Sequence, residues 1–361
     1  MMKKYWQNNL IIVLSALLLF ISAGYCGWIA ADVQAQSEVS AEATNEDTVL
    51  VGGMPIGIYM ETDGVMILDT EQIKSVDGQE YEPAANLVKP GDYIIALNNQ
   101  AVENKKELVK MLQGLHDNEV ILTLRRRQES LTIRLHPVEA EPGVYKLGIW
   151  VRDNVQGLGT ITFLTANQEF GALGHGIHDS ETNELMEIAA GMLYKTSIQT
   201  IRKGENGMPG SMEGMIVYNT HNAVGTIWKN TETGIYGTVE KAEEIFPGSI
   251  SLGVATREEV AIGNATIRCF VDGEIREYAI QVIEIAGIET EANKGLIIQV
   301  TDPELLAKTG GIIQGMSGSP IIQKGKLIGA VTHVFVQDST KGYGIFAESM
   351  LENINRRSLS N

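Results

Sequence analysis

The chain has 361 residues, enough for two domains with accessories, and 44 % of them are apolar, which supports a sizeable core. The formal net charge of −17 excludes non-specific nucleic-acid binding through a basic face, and it argues against adhesion of the folded part to anionic lipid. The only cysteines are Cys26 and Cys269, so neither a disulfide framework nor a CxxC zinc cage is indicated.

At the N-terminus, Lys3 and Lys4 precede an uncharged stretch over residues 5–31, most apolar over 10–21. This is the export pattern. Residues 1–31 are expected to act as a signal peptide or as an uncleaved anchor, since about 20 apolar residues cross a bilayer. Either reading takes the bulk of the chain out of the cytoplasm and links it to the membrane through this segment. Residues 32–48 hold no aromatic and no basic residue and read as a solvated linker.

Residues 49–138 form the next expected unit. Apolar strand-like pieces, LVGGMPIGIYM and GVMILD, lead to VKPGDYIIALNNQAV. A helix-like ENKKELVKMLQGL follows, with Leu108, Met111, Leu112 and Leu115 on one face, and then two strands in NEVILTLRRR and ESLTIRLHPV. The segment KPGDYIIALNNQAV resembles the conserved core of PDZ domains, with Asn99-Gln100 where Asn-Gly is commoner. Ile56, Gly57, Ile58 and Tyr59 resemble a PDZ carboxylate-binding loop and its edge strand. That likeness implies peptide capture by strand addition, with small residues letting backbone N–H groups approach a carboxylate. The alternative is a plain α+β module without a ligand.

Residues 139–361 carry short, Gly-punctuated strands. Asp272-Gly273 and Lys324-Gly325 each sit between strand-like runs as hairpin turns. The Gly-rich GENGMPGSMEG lacks a Walker lysine and reads as a loop. The strongest local signal is Gly315-Met316-Ser317-Gly318-Ser319-Pro320. Acyl transfer needs an exposed hydroxyl on a tight turn beside backbone N–H groups, and flanking glycines permit that turn. The oxyanion donors are expected at Gly315 and Ser317. An α/β-hydrolase elbow is disfavoured, because Pro320 and a hairpin follow where a helix is required.

The six histidines are His116, His136, His175, His178, His221 and His333. His175 in GALGHGIHD has glycine on both sides and is the best general base. His178 and Asp179 raise a metal reading, but no further ligand cluster accompanies them, so no metal and no cofactor are expected. His333, on the strand returning from the nucleophile loop, is a candidate wall of the S1 pocket, where it would bond a polar side chain. The acid is open on pattern alone among Asp302, Asp179, Asp272 and Asp338.

Taken together, ALGHGIHD and TGGIIQGMSGSPIIQKGKLIGAVTHVFV, ending in GYGIF, resemble the stage IV sporulation protein B (SpoIVB) peptidase family. The resemblance implies a mainly β fold: a PDZ-like α+β module followed by a chymotrypsin-like β-barrel serine peptidase domain. It implies a base, acid and nucleophile at His175, Asp302 and Ser317. Asp302 sits unusually close before the serine, and it would equally suit the N-cap of a helix over 303–308. The family's role is regulatory. It is exported from the forespore, cleaves itself and a membrane-protein complex, and so activates processing of pro-sigma-K. Peptide or protein substrates, not nucleic acid, are the implied partners. Competing readings are an inactive PDZ signalling protein and an HtrA-like quality-control protease, in which the PDZ modules follow the peptidase.

Overall fold

The computed structural model describes residues 48–115, 119–205, 207–287 and 290–358. The expected signal or anchor at 1–31 lies outside the described residues, as do all but the last residue of the 32–48 linker and His116.

The strands are β1 (Thr48–Val51), β2 (Pro55–Thr70), β3 (Ile73–Lys74), β4 (Glu80–Tyr81), β5 (Tyr93–Leu97) and β6 (Gln100–Ala101), followed by helix α1 (Lys105–Gln113). Next come β7 (Val120–Arg126), β8 (Glu129–Leu135), β9 (Val138–Glu141), β10 (Val144–Lys146) and β11 (Ile149–Leu164). Then follow β12 (Glu169–Ala172), β13 (Ile188–Arg202), β14 (Ser211–Ile216), β15 (Ala223–Thr231), β16 (Gly234–Val239), α2 (Ala242–Ile245) and β17 (Ile250–Val254). The chain ends with β18 (Gly263–Val271), β19 (Glu274–Ile285), β20 (Leu296–Val300), α3 (Pro303–Thr309), β21 (Pro320–Gln323), β22 (Lys326–Phe335), β23 (Asp338–Phe346) and α4 (Ala347–Ser358).

Two six-stranded barrels close. In the first, β2 pairs with β11, β11 with β12, β12 with β16, β16 with β15, β15 with β13, and β13 returns to β2. Ile56, Ile58, Met60, Phe170, Leu193 and Ile235 fill it. In the second, the circuit runs β18, β19, β20, β23, β22, β21 and back to β18. Ile267, Tyr278, Val282, Ile298, Ile321 and Val331 fill this one. Closure leaves no sheet edge, and alternate residues along each strand face the barrel interior. Helix α4 packs on both barrels: Met350 and Ile354 cluster with Phe163 and Tyr236 of the first and with Leu327, Ala330 and Ile345 of the second.

The PDZ module is inserted into the first barrel. β2 and β11 are each 16 residues long, about 50 Å of chain at the strand rise. They stay paired from Ile149↔Thr70 at one end to Thr160↔Pro55 at the other. The half of β2 from Pro55 to Glu61 belongs to the barrel. Beyond Gly64 the same strand becomes the centre of the PDZ sheet, between β11 and β5, which continues through β7 to β8. Val65, Ile94, Leu108, Leu122 and Leu135 form the PDZ core. Asn104 caps α1 by accepting from the Glu107 N–H. The expected division at 138/139 therefore differs from the structure: residues 49–62 belong with the first barrel, and the inserted module spans roughly the residues between the barrel halves of β2 and β11.

This relocates the expected peptide-binding strand. Ile56, Gly57, Ile58 and Tyr59 are paired on one side with β11 and on the other with β13. Ile56 and Ile58 are buried in the barrel core. A strand with both edges taken cannot accept a third, so strand addition at these residues is excluded.

Candidate active site and peptide groove

Ser317 and His175 come from different barrels and meet in one cleft of about 360 Å³. Ser317 precedes β21 of the second barrel, and His175 follows β12 of the first. Gly315, Gln314, Leu158, Thr332 and His333 also line the cleft.

The nucleophile turn is fixed from several sides. Buried Met316 anchors it in the second barrel's core. Gly318 has φ +95°, and a Cβ there would lie 2.0 Å from the Thr160 carbonyl oxygen, so only glycine fits. The Thr160 N–H donates to the Ser317 carbonyl at 2.9 Å. The Thr160 hydroxyl donates to the Gly315 carbonyl and the Thr162 hydroxyl to the Gly318 carbonyl, at 2.8 and 2.7 Å. The Gly-rich loop expected to be mere connection also participates: the Gln314 N–H donates to the Gly210 carbonyl, and the Met212 N–H to Gln314. The Gly318 N–H is consumed by the Val331 carbonyl, and the expected oxyanion donors, Gly315 and Ser317, both line the cleft.

The expected base, His175, is held by its own backbone. His175 Nδ1 lies 2.8 Å from the Gly176 carbonyl, an acceptor, so Nδ1 carries the proton and Nε2 presents a lone pair. Burial, and secondarily the charge of His178, hold the imidazole below its ordinary pKa, while the bond to Gly176 opposes them. A neutral imidazole with a free Nε2 is what a general base requires. The Ser317 hydroxyl donates to the Thr332 carbonyl at 2.6 Å. His333 stacks on His175, ring centroids 4.6 Å apart and planes tilted 35°. Burial first, then His175 and Lys294, push its pKa down.

Asp302 is elsewhere. One carboxylate oxygen accepts from the N–H groups of Glu304 and Leu305, and the other from Ala279. It is the N-cap of α3, with Pro303 at the first helical position. Its charge is felt instead by buried Cys269, whose thiol is pushed up to about 12 by burial first and Asp302 second. No Asp or Glu is among the residues lining the cleft. The implied third triad member is thus not brought to His175, and the Gly176 carbonyl performs the tautomer-fixing part of that role. Asp179 lies on the His175 loop but pairs with Arg152. Among the described residues no three His, Cys, Asp or Glu side chains are gathered to hold a metal.

A second concavity of about 540 Å³ lies in the PDZ module, between α1 and the start of β11. Ile94, Leu108, Leu112, Leu147 and Ile149 line it, with exposed Trp150 at its rim. β11 is paired with β2 on one edge over Ile149–Arg152, and among the described residues no strand pairs with its other edge there. Gly148, at φ +67°, turns the chain into this strand. Sequence reading placed a Φ-Gly-Φ loop at Ile56-Gly57-Ile58; the second such run, Leu147-Gly148-Ile149, was the available signal.

The SpoIVB peptidase S55 family model matches residues 143–351, more than half of the chain. The chain belongs to this family. A PDZ domain model matches residues 82–126. No curated protein matches the chain. Among solved structures, the PDZ domain of the SdrC-like protein from Listeria monocytogenes is 18 % identical, covering 25 % of this chain and 87 % of that one, at a TM-score of 0.20. The active form of the Rv3671c protease from M. tuberculosis is 12 % identical over 56 % of this chain and 74 % of that one, with a TM-score of 0.33. The HtrA-type protease AlgW with a decapeptide is 8 % identical over 88 % and 66 %, again at 0.33. The protein is a serine peptidase with a PDZ module.

Proposed function

We propose that this SpoIVB-family peptidase is an exported regulatory endopeptidase of sporulation, with Ser317 as nucleophile and His175 as base. The observation that carries the site is their convergence from two barrels in one cleft beside the N–H groups of Gly315 and Ser317. Ser317 Oγ would give its proton to His175 Nε2 as it attacks the scissile carbonyl. The two N–H groups would hold the oxyanion, and the imidazolium would return the proton to the leaving amine. His333, exposed on its outer side, is the polar ring available to a substrate side chain.

The family resemblance supports the finer reading: membrane association through residues 1–31, cleavage of itself, and cleavage of a membrane-associated target that leads to pro-sigma-K processing. The acidic linker at 32–48 is covalently joined to the peptidase, and a tether raises the effective concentration of a cleavage point. The open β11 edge beside α1 is the place for a partner peptide to add as a strand, its terminal carboxylate at the Leu147-Gly148-Ile149 turn and its last side chain against Leu108 and Leu112.

The test is the intact mass of wild type and Ser317→Ala after expression of the full chain, beside labelling by a fluorophosphonate. We expect wild type to be labelled and to lose its N-terminal segment, while Ser317→Ala does neither. Labelling with identical N-termini removes self-processing alone; absence of labelling removes the peptidase assignment.

A further inference from the structure

The peptide groove and the catalytic loops share one strand. β11 begins as the open edge of the groove at Ile149 and Trp150. At its far end Thr160 and Thr162 hold the carbonyls of Gly315, Ser317 and Gly318. Gly157 and Leu158, just before them, line the catalytic cleft.

Between the two ends, the pairing of β11 with β2 is interrupted twice, once between Trp150 and Val151 and once between Arg152 and Asn154. Such irregularities re-aim side chains and bend a strand locally. At this bend Asp153 accepts from the Lys105 N–H at the start of α1, the helix that forms the other wall of the groove. Arg152 reaches a different loop. Its guanidinium pairs with Asp179, whose side chain is fully buried, and also with Glu181. The second oxygen of Asp179 accepts from the N–H groups of Glu181 and Thr182 and so folds the loop that follows His175. His175, Gly176 and Asp179 are on one short loop, and Gly176 is the residue whose carbonyl fixes the base's tautomer.

We propose that Arg152 is a positioning residue that couples peptide occupancy of the PDZ groove to the His175 loop through Asp179, while the same strand acts on the Ser317 turn through Thr160. The inference rests on the groove reading given above. A strand added to Ile149–Val151 would replace solvent along the very edge that bends at Arg152, and a small shift there is amplified because packed elements switch between discrete arrangements and do not deform continuously. The resting geometry sets the sign. The Ser317 hydroxyl is committed to the Thr332 carbonyl, so resetting these loops raises activity. Removing one member of the Arg152–Asp179 pair leaves a buried charge unpaired and risks the fold, whereas removing both charges does not carry that penalty.

The experiment uses the full chain and peptides ending in Val, Leu, Ile or Phe, each as free carboxylate and as C-terminal amide. Binding is followed by calorimetry and by tryptophan fluorescence, for which Trp150 is the rim reporter. Turnover is followed with a small nitrophenyl ester that does not reach the groove. In wild type, a free-carboxylate peptide should bind and raise kcat for the ester about fivefold or more, with KM little changed. In Arg152→Met/Asp179→Asn, of native melting temperature, the same peptide should bind with unchanged affinity while the stimulation falls to about onefold. Arg152→Lys should restore part of it.

If no peptide binds, the groove reading fails and the coupling with it. Binding without stimulation in wild type overturns the coupling but leaves the groove. Equal stimulation in the double variant overturns the route through Arg152 and Asp179.

Discussion

The two barrels close in the same way but are written differently along the chain. The second is nearly continuous: β18 with β19, β21 with β22 and β22 with β23 are successive hairpins. The first is interrupted between its first two strands, β2 and β11, by the whole PDZ module. An insertion this long is tolerated because loop-closure cost grows only logarithmically with length, and here the inserted module closes the loop with its own sheet. The proposed catalytic pair spans both cases, with Ser317 on the continuous barrel and His175 on the interrupted one. The difference teaches that a peptidase site can be half local and half long-range, and the following substitutions separate the two halves.

The largest effect is expected at the chemistry itself. Ser317→Ala and His175→Ala should each lower kcat by roughly 10⁴-fold or more while leaving thermal unfolding near wild type, because each acts as part of one unit. Amide or ester hydrolysis persisting in either variant at a tenth of wild type would break the assignment of that residue. The double variant should be no worse than the poorer single one.

Next is the contact by which the interrupted barrel shapes the serine turn. Gly318→Ala would force a methyl to within 2.0 Å of the Thr160 oxygen at φ +95°. A misplacement of about 1 Å at the nucleophile costs on the order of 10²-fold in rate. Gly325→Ala is the matched control, with φ +75° but nothing near its Cβ, so it should cost about 1 kcal/mol of stability and no activity. Equal kcat in the two variants would show that the Thr160 contact does not shape the site.

A smaller effect separates cap from acid at Asp302. As the N-cap of α3 it should cost about 1 kcal/mol on replacement by alanine, less by asparagine, with kcat within about threefold of wild type. A triad acid would cost about 10⁴-fold even as the asparagine. Measured kcat for Asp302→Asn therefore decides whether the Gly176 carbonyl suffices.

These contrasts also explain what the sequence made legible. The Asp272-Gly273 and Lys324-Gly325 turns are local patterns, and each closes the hairpin expected of it. Lys324 and Asp272 adopt positive φ as their turns demand. The strand holding Ile56 to Tyr59 looked like a PDZ edge because its partners in β11 lie about a hundred residues downstream and supply no local cue. Its apolar alternation is the same whether the strand lines a groove or a barrel. Asp302 illustrates another limit: Asp before Pro and an amphipathic turn reads as an N-cap, and the family pattern reads the same residue as an acid. The fold decides between them by leaving Asp302 out of the cleft that holds His175, and placement across two barrels is absent from any window of residues. Thr160, Thr332, Gly176 and Arg152 were missed because they act through carbonyls or through a partner residue, which no motif records.

The smallest effect concerns the base's pH range. His175 must be neutral to accept the serine's proton, so kcat/KM rises as pH climbs through its pKa in the free enzyme. Burial disfavours the imidazolium and holds that pKa below its ordinary value. The acid limb should therefore lie below pH 6.5, the usual histidine value. His178 adds to this. Its Nε2 sits 3.2 Å from Glu232, and positive charge on this neighbour disfavours a second one on His175. The groups around His175 are His178 on its own loop and His333 stacked on it from β22, with Lys294 and Glu291 near His333. His178→Asn removes a repelling charge, so His175 protonates more readily and the acid limb moves to higher pH. His136→Asn, in the PDZ module, should leave the limb where it is. A limb unmoved by His178→Asn, in a variant of unchanged plateau kcat, would mean that burial alone sets the base, and that the interrupted barrel contributes the histidine but not its tuning.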